Sequence, residues 1–265
     1  MGQVWQVGDN YEAYVGRWSR RVAREFVTWL GVPAGRTWLD VGCGTGALLA
    51  AALAVAPARL TGVDRSTGFL ATARARVPEA DLVAGDAAAL PIEGGRAEVV
   101  VSGLTLNFVG VPARAAAEFA RVAAPGGTVA AYVWDYADGM VMMRHFWDAA
   151  TTLDPAASAF DEGSRFTLCR PGPLAELWTA AGLTGVETRA IDVPTVFTGF
   201  DDYWQPFLGG QGTAPGYVAS LSEERRGALA GLLRERLPRA DDGSIRLTAR
   251  AWAVRGLATQ ARPVR

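Results

Sequence analysis

Through the first half of the chain, short apolar runs bounded by glycine, proline or polar residues alternate with longer stretches whose apolar positions recur every three or four residues. Runs of the first kind read as buried strands and stretches of the second as amphipathic helices, so the alternation predicts a parallel sheet wound by helices. Strands are expected at 36–41, 59–63, 81–84, 97–102 and 127–134. Helices are expected at 46–56, at 66–77 with Ser66 as N-cap, and at 112–123 with Pro112 in the first turn. Further on, a helix over 172–181 is stopped by Gly182 and followed by a strand near 184–193. From Ile245 to Val254 apolar and polar residues alternate strictly, which suits a half-exposed edge strand or an antiparallel one.

Two segments fall outside this minimal sheet, 135–170 and 194–243; both are richer in aromatic residues, and the second also in Gly and Pro. Insertions at the carboxyl edge of a parallel sheet sit over its ligand crevice, so both are candidates for a second ligand's pocket. The charged helix from Ser222 to Leu237 reads as a solvated face. With 265 residues, half of them hydrophobic, the chain can bury one large core, and a single domain over 1–265 is expected.

The strongest local signal is Trp38-Leu39-Asp40-Val41-Gly42-Cys43-Gly44-Thr45-Gly46, an apolar strand that ends in a glycine-dense turn and opens a helix. Asp64 closes the next apolar run, where a ribose diol would lie, and together they point to an adenosine-containing cofactor. A phosphate-cradling loop needs a lysine after its last glycine, but Ala47 stands there, and all 26 basic residues of the chain are arginine. The third glycine also arrives one residue early for the dinucleotide fingerprint, which disfavours a pyrophosphate guest.

This turn resembles motif I of the class I S-adenosylmethionine methyltransferases. The likeness continues through Thr61-Gly62-Val63-Asp64, Gly85-Asp86-Ala87, Val99-Val100-Val101-Ser102 and Pro125-Gly126-Gly127-Thr128, in order over about 36–134. Leu90-Pro91 after the Asp86 loop is similar to the small-molecule branch that includes the quinone C-methyltransferases. The resemblance implies an α/β fold, a Rossmann-like doubly wound sheet, mostly parallel with a C-terminal antiparallel strand, plus helical cap insertions. It further implies a lid helix within 1–30, a cofactor-binding core over 31–134, and caps at 135–170 and 194–243.

S-adenosyl-L-methionine is the cofactor so implied. Asp64 would accept from the ribose hydroxyls, its alternative role being a helix N-cap, and Asp86 from the adenine amino group while the Ala87 amide donates to the ring. Gly42 and Gly44 would let the backbone approach the methionyl part, with Asp40 orienting the turn or meeting the amino group. Tyr14 and Arg17 would reach the methionyl carboxylate, unless their helix merely packs on the sheet. Arg65 and Leu90 could flank the adenine, and Ser102 falls in the matching register of strand 4. Cys43 reads as a small filler beside the cofactor.

Methyl transfer is an in-line displacement that asks chiefly for alignment and exclusion of water. His145, the one histidine, could serve as general base for an alcohol or phenol, with Asp135 and Tyr136 as rivals. Met142, Met143, Trp147, Tyr203, Trp204 and Phe207 could line an apolar or aromatic acceptor pocket, although such stripes are usually core first. Neither the spacing of Cys43 and Cys169 nor any Asp cluster suggests a metal. The expected function is metal-free methylation of O, N or C of a small organic acceptor. The alternatives are a SAM-binding cyclase or, further off, a nicotinamide-dependent oxidoreductase. With 26 basic and 27 acidic residues, a net charge of -1 and no basic run, nucleic acid is not expected as partner. Asp9, Asn10 and Glu12 where a leader would be apolar, and no bilayer-length apolar stretch, give the expectation of a cytoplasmic protein without membrane association.

Overall fold

The computed structural model describes residues 16–209 and 212–259. Its contacts divide the chain into two units, each assembled from separate segments. The sheet unit takes 19–133, 168–191 and the chain from 251; the aromatic unit takes the chain through Trp18, then 134–167 and 192–250.

In chain order the strands are β1 (Thr37–Val41), β2 (Arg59–Asp64), β3 (Asp81–Ala84), β4 (Ala97–Gly103), β5 (Ala123–Trp134), β6 (Thr184–Phe197) and β7 (Ile245–Leu257). They form one seven-stranded sheet in the order β3-β2-β1-β4-β5-β7-β6. β1 pairs in parallel with β2 on one side and β4 on the other, Leu39 facing Thr61 and Val100. The winding direction therefore reverses between β1 and β4, and a doubly wound sheet opens its ligand crevice at the carboxyl ends of such a pair. Central strands buried on both faces need apolar side chains throughout, which is what Trp38, Leu39, Val41 and Val99 to Val101 supply.

The helices of the sheet unit obey their local end signals. α1 is Arg17–Leu30; α2 (Ala47–Leu53) follows the glycine turn; α3 (Thr67–Arg76) is capped by Ser66, whose Oγ accepts from the Phe69 N–H at 3.3 Å. α4 (Pro112–Val122) starts on its proline, and Phe119 on its buried face meets Trp178 edge-on. α5 (Val141–Leu153) and α6 (Glu162–Arg165) belong to the aromatic unit. α7 (Pro171–Ala180) also starts on its proline and is followed by Gly182 in the left-handed region at φ +81. Trp178 on α7 donates its Nε1 to the Val129 carbonyl at 3.0 Å, pinning that helix to β5.

Two strand bounds needed adjustment, while the last strand has the expected antiparallel sense. β5 begins at Ala123 because Ala97 pairs with Ala123 and Val99 with Thr128, the Pro125-Gly126-Gly127 turn bulging out between them. β6 runs past 193 to Phe197, since an edge strand tolerates Pro194. β7 is antiparallel but is not an edge. The Gly126 N–H and the Ala258 N–H bond across to the Ala258 and Gly127 carbonyls, and the Asp135 N–H bonds to the Arg250 carbonyl, so β7 runs opposite to β5. On its other side Arg255 pairs with Glu187 and Arg250 with Asp192 on β6.

The aromatic unit adds α8 (Phe200–Trp204), α9 (Thr213–Ser220) and α10 (Glu223–Arg236) to α5 and α6. α10 is capped by Ser222, carries Glu223 and Glu224 in its first turn and Arg234 and Arg236 in its last, and buries only Leu229 and Leu233. Among the described residues no helix is long and apolar enough to cross a membrane.

Candidate active site

The site grows from the carboxyl ends of β1, β2 and β4. β1 delivers Asp40 and then turns sharply, the Gly42 and Cys43 N–H groups both donating to the Val63 carbonyl at 2.7 and 3.0 Å. Gly42 sits at φ +72, and a Cβ there would stand 2.3 Å from Thr105 Cγ2, so both its backbone angle and its neighbour require glycine. Thr105, just beyond β4, offers its hydroxyl to the Gly42 carbonyl at 3.0 Å. Gly44 is also left-handed at φ +52, but a Cβ there would meet nothing within 4 Å. Among the described residues this second glycine therefore faces open space.

Two carboxylates stand at the turn. Asp64, at the end of β2, is almost buried and accepts from the Gly44 N–H at 2.9 Å through Oδ2 and from the Ser66 N–H at 2.8 Å through Oδ1. Each of these oxygens keeps a lone pair for a further donor. Asp40 is only 1% exposed, and neither of its oxygens has a hydrogen-bond partner among the described residues. Burial, and next the nearby Asp64 charge, push its carboxyl well above the usual range. Burial, then the same two carboxylates, raise the Cys43 thiol and hold it protonated, so Cys43 packs rather than reacts.

Such a site repels phosphates and welcomes a cation and hydroxyl donors. The cofactor implied by the sequence resemblance brings an ammonium for the orphaned Asp40 oxygens and a ribose diol for Asp64, with open space over Gly44; the residues present fit that group. Among the described residues no His, Cys, Asp and Glu cluster could hold a metal ion.

The remaining expected residues fall as follows. Asp86 is exposed in a turn in which its Oδ1 accepts from the Ala88 N–H at 2.8 Å, and Ala87 lies half-buried beside it. The Gly85 N–H donates to the Asp64 carbonyl at 3.1 Å, joining that turn to the glycine turn. Leu90 is buried, whereas Arg65 is exposed. Ser102 is fully buried and donates to the Val41 carbonyl at 2.8 Å, tying β4 to the end of β1; it is a strut rather than a wall of the crevice. Tyr14 lies outside the described residues. Arg17 belongs to the aromatic unit, where its Nη1 donates to Asp202 at 2.8 Å.

His145 lies half-buried on α5, and burial lowers its pKa, with Asp148 pulling the other way. Asp135 and Tyr136 are both buried. Met142, Trp147, Tyr203, Trp204 and Phe207 do gather, as the interior of the aromatic unit, and none is more than 8% exposed. The Tyr203 hydroxyl donates to the Met142 carbonyl at 2.7 Å, Trp147 Nε1 donates to Glu162, and Phe207 stacks on Phe146 at 4.6 Å. Thr105 and Leu104 were not singled out in the sequence. Leu104 adopts φ +57, a conformation that costs a non-glycine residue and that clusters at functional sites.

A methyltransferase-domain family model matches residues 39–131, which run from β1 through β5. This segment is similar to a methyltransferase domain. Around it the chain is 37% identical over 109 residues to a demethylmenaquinone methyltransferase of Renibacterium salmoninarum, covering 41% of this chain and 46% of that protein. It is likewise 37% identical over 110 residues to a 2-phytyl-1,4-naphtoquinone methyltransferase of Thermosynechococcus vestitus, covering 39% and 48%. The chain thus spans about half the length of the curated relatives it matches. The likeness in fold extends further along the chain than the likeness in sequence. The YcgJ protein of Bacillus subtilis superposes with a TM-score of 0.59 over 91% of this chain and 99% of its own, at 15% identity.

Proposed function

We propose that this chain transfers the methyl group of S-adenosylmethionine to a small organic acceptor, without a metal. The observation that carries the reading is the orphaned, buried Asp40 carboxylate beside Asp64 at a glycine turn whose Gly44 faces open space. Bound there, the cofactor supplies a methyl group already activated by a sulfonium. The protein's own part is to bind and to align. Asp64 accepts from the ribose hydroxyls while holding the Gly44 and Ser66 amides. Asp40 receives the amino group, and the left-handed Gly42 and Gly44 let the backbone close on the methionyl tail. The Asp86–Ala87 turn, tied to Asp64 through Gly85, serves the adenine.

An acceptor that arrives as an anion or a neutral amine needs no base. For a phenol or alcohol, His145 is the candidate, since its lowered pKa keeps the imidazole neutral and able to take a proton. The quinone methyltransferases among its relatives make a reduced quinone the first acceptor to try. The test is conversion of S-adenosylmethionine to S-adenosylhomocysteine across a panel of quinols, phenols, amines and carbon acids, with methylated product followed by mass. Product in any arm, lost in Asp64→Ala, supports methyl transfer. Tight cofactor binding with an altered substrate but no S-adenosylhomocysteine would favour the cyclase reading. Binding of NAD(P) in place of S-adenosylmethionine would sink both. Full phenol methylation by His145→Gln would remove the base.

A further inference from the structure

Arg17, at the start of α1, has one edge of its guanidinium committed and another edge bare. Nη1 donates to Asp202 Oδ1 at 2.8 Å, and Asp202 is itself fixed by the Thr198 N–H, which donates to its Oδ2 at 2.9 Å. The guanidinium carbon stands 4.4 Å from the centre of the Trp18 ring and 4.8 Å from that of Phe197. These two rings meet edge-on at 5.5 Å, and Tyr203 adds a third ring 5.3 Å beyond Phe197. Ion pair and rings together leave the fork little freedom to turn.

Nε and Nη2, the two donors on the side edge of that fork, are buried and have no hydrogen-bond partner among the described residues. Thr195 lies two positions before Phe197 on β6, hence on the same side of the strand. It is fully buried, and its Oγ1 also lacks a partner. Buried donors in folded proteins are nearly always satisfied, and an unsatisfied cationic donor is costlier than a neutral one. A fixed pair of parallel N–H groups matches the two oxygens of a carboxylate, and arginine is the side chain that offers it.

We propose that the bare edge of Arg17 is a binding site for the carboxylate of a small aromatic acid. The Thr195 hydroxyl supplies a further polar contact and the rings around Phe197 an apolar flank. All of these residues belong to the aromatic unit, and the proposal does not rest on methyl transfer. A carboxylate could also come from the methionyl tail of the cofactor, so the experiment separates the two sources.

The full chain is titrated calorimetrically with benzoate, inorganic phosphate, S-adenosylhomocysteine and 5′-methylthioadenosine, which lacks the carboxylate. Wild type, R17K, R17Q and T195V are compared, each with a thermal melt. The expected result is benzoate binding to wild type, weakened about tenfold or more in R17Q and R17K and about threefold in T195V. S-adenosylhomocysteine affinity should stay within about twofold throughout. R17K keeps the cation for Asp202 and the rings, so it reports loss of the fork alone should R17Q fail to fold. No benzoate binding to wild type, phosphate bound in its place, or R17K binding benzoate as wild type does would each overturn the site. So would an Arg17 variant that loses S-adenosylhomocysteine but keeps 5′-methylthioadenosine, since Arg17 would then clamp the methionyl carboxylate.

Discussion

A carboxyl group held neutral by burial gives up its proton when a cation arrives beside it. Asp40 has the raised pKa and the unpartnered oxygens for that exchange. Binding of S-adenosylhomocysteine, whose ammonium would meet Asp40, is therefore expected to lower that raised pKa and release protons at pH values between those of the free and bound states. Calorimetry in two buffers of different ionisation enthalpy measures the release directly. Asp40→Asn should abolish it, and wild-type binding without proton release would place the ammonium elsewhere. Asp64→Ala removes the acceptor of the Gly44 and Ser66 amides as well as that of the ribose. Charge-assisted hydrogen bonds contribute about 1.5–3 kcal/mol each, so cofactor affinity should fall on the order of 100-fold. Asp40, Gly42, Gly44 and Asp64 were legible in the sequence because a strand, a turn and a helix start in one short run leave few geometries. Thr105 was not, because its role depends on meeting Gly42, a contact across 63 residues that no local pattern announces. The strained Leu104 beside it was equally hidden, since a left-handed leucine has no signature in the sequence.

At the scale of elements, the glycine turn separates into a structural half and a binding half. Gly42→Ala would drive a Cβ into Thr105 at 2.3 Å and strain a backbone at φ +72, so it should lower the melting temperature as well as cofactor affinity. Gly44→Ala meets no neighbour and should cost only about 1 kcal/mol of backbone strain, yet fill that open space and weaken binding. Parallel melts and titrations distinguish the two; equal destabilisation by both would refute the division. Helix starts were legible wherever a side chain or a ring acts locally, as at Ser66, Pro112 and Ser222. The helices Glu162–Arg165 and Phe200–Trp204 were not, since segments of four and five residues gain too little from propensity and are held by the packing around them. The same holds for the aromatic residues of α5 and α8. Their spacing marked a ligand pocket and a core alike, and the structure buries all of them.

For the molecule as a whole, the most informative titration belongs to Glu162 in the aromatic unit. Burial pushes its carboxyl from 4.5 up to about 7, against hydrogen bonds that include one donated by Trp147 Nε1 at 2.7 Å. Between those values the folded chain holds a proton that the unfolded chain has lost. Stability should thus be greatest below about pH 4.5 for this group and fall as pH rises through about 7, by about 3 kcal/mol in total. Glu162→Gln keeps an acceptor for Trp147, so its denaturant midpoint should lack this loss between pH 5 and 8; a parallel slope in both proteins would exclude the assignment. The doubly wound sheet was legible at this scale because each of its strands carries its own apolar run. The place of β7 was not, because alternation shows which faces are buried but not which strands lie alongside. That place has a consequence for how the protein is made. β7 is synthesised after β5 and β6 and pairs with both, so until the ribosome reaches Leu257 each of those strands carries an unpaired row of amides and carbonyls. Exposed strand edges are templates for aggregation during folding. The interval before β7 emerges is then the window in which β5 and β6 are open to pairing with another chain.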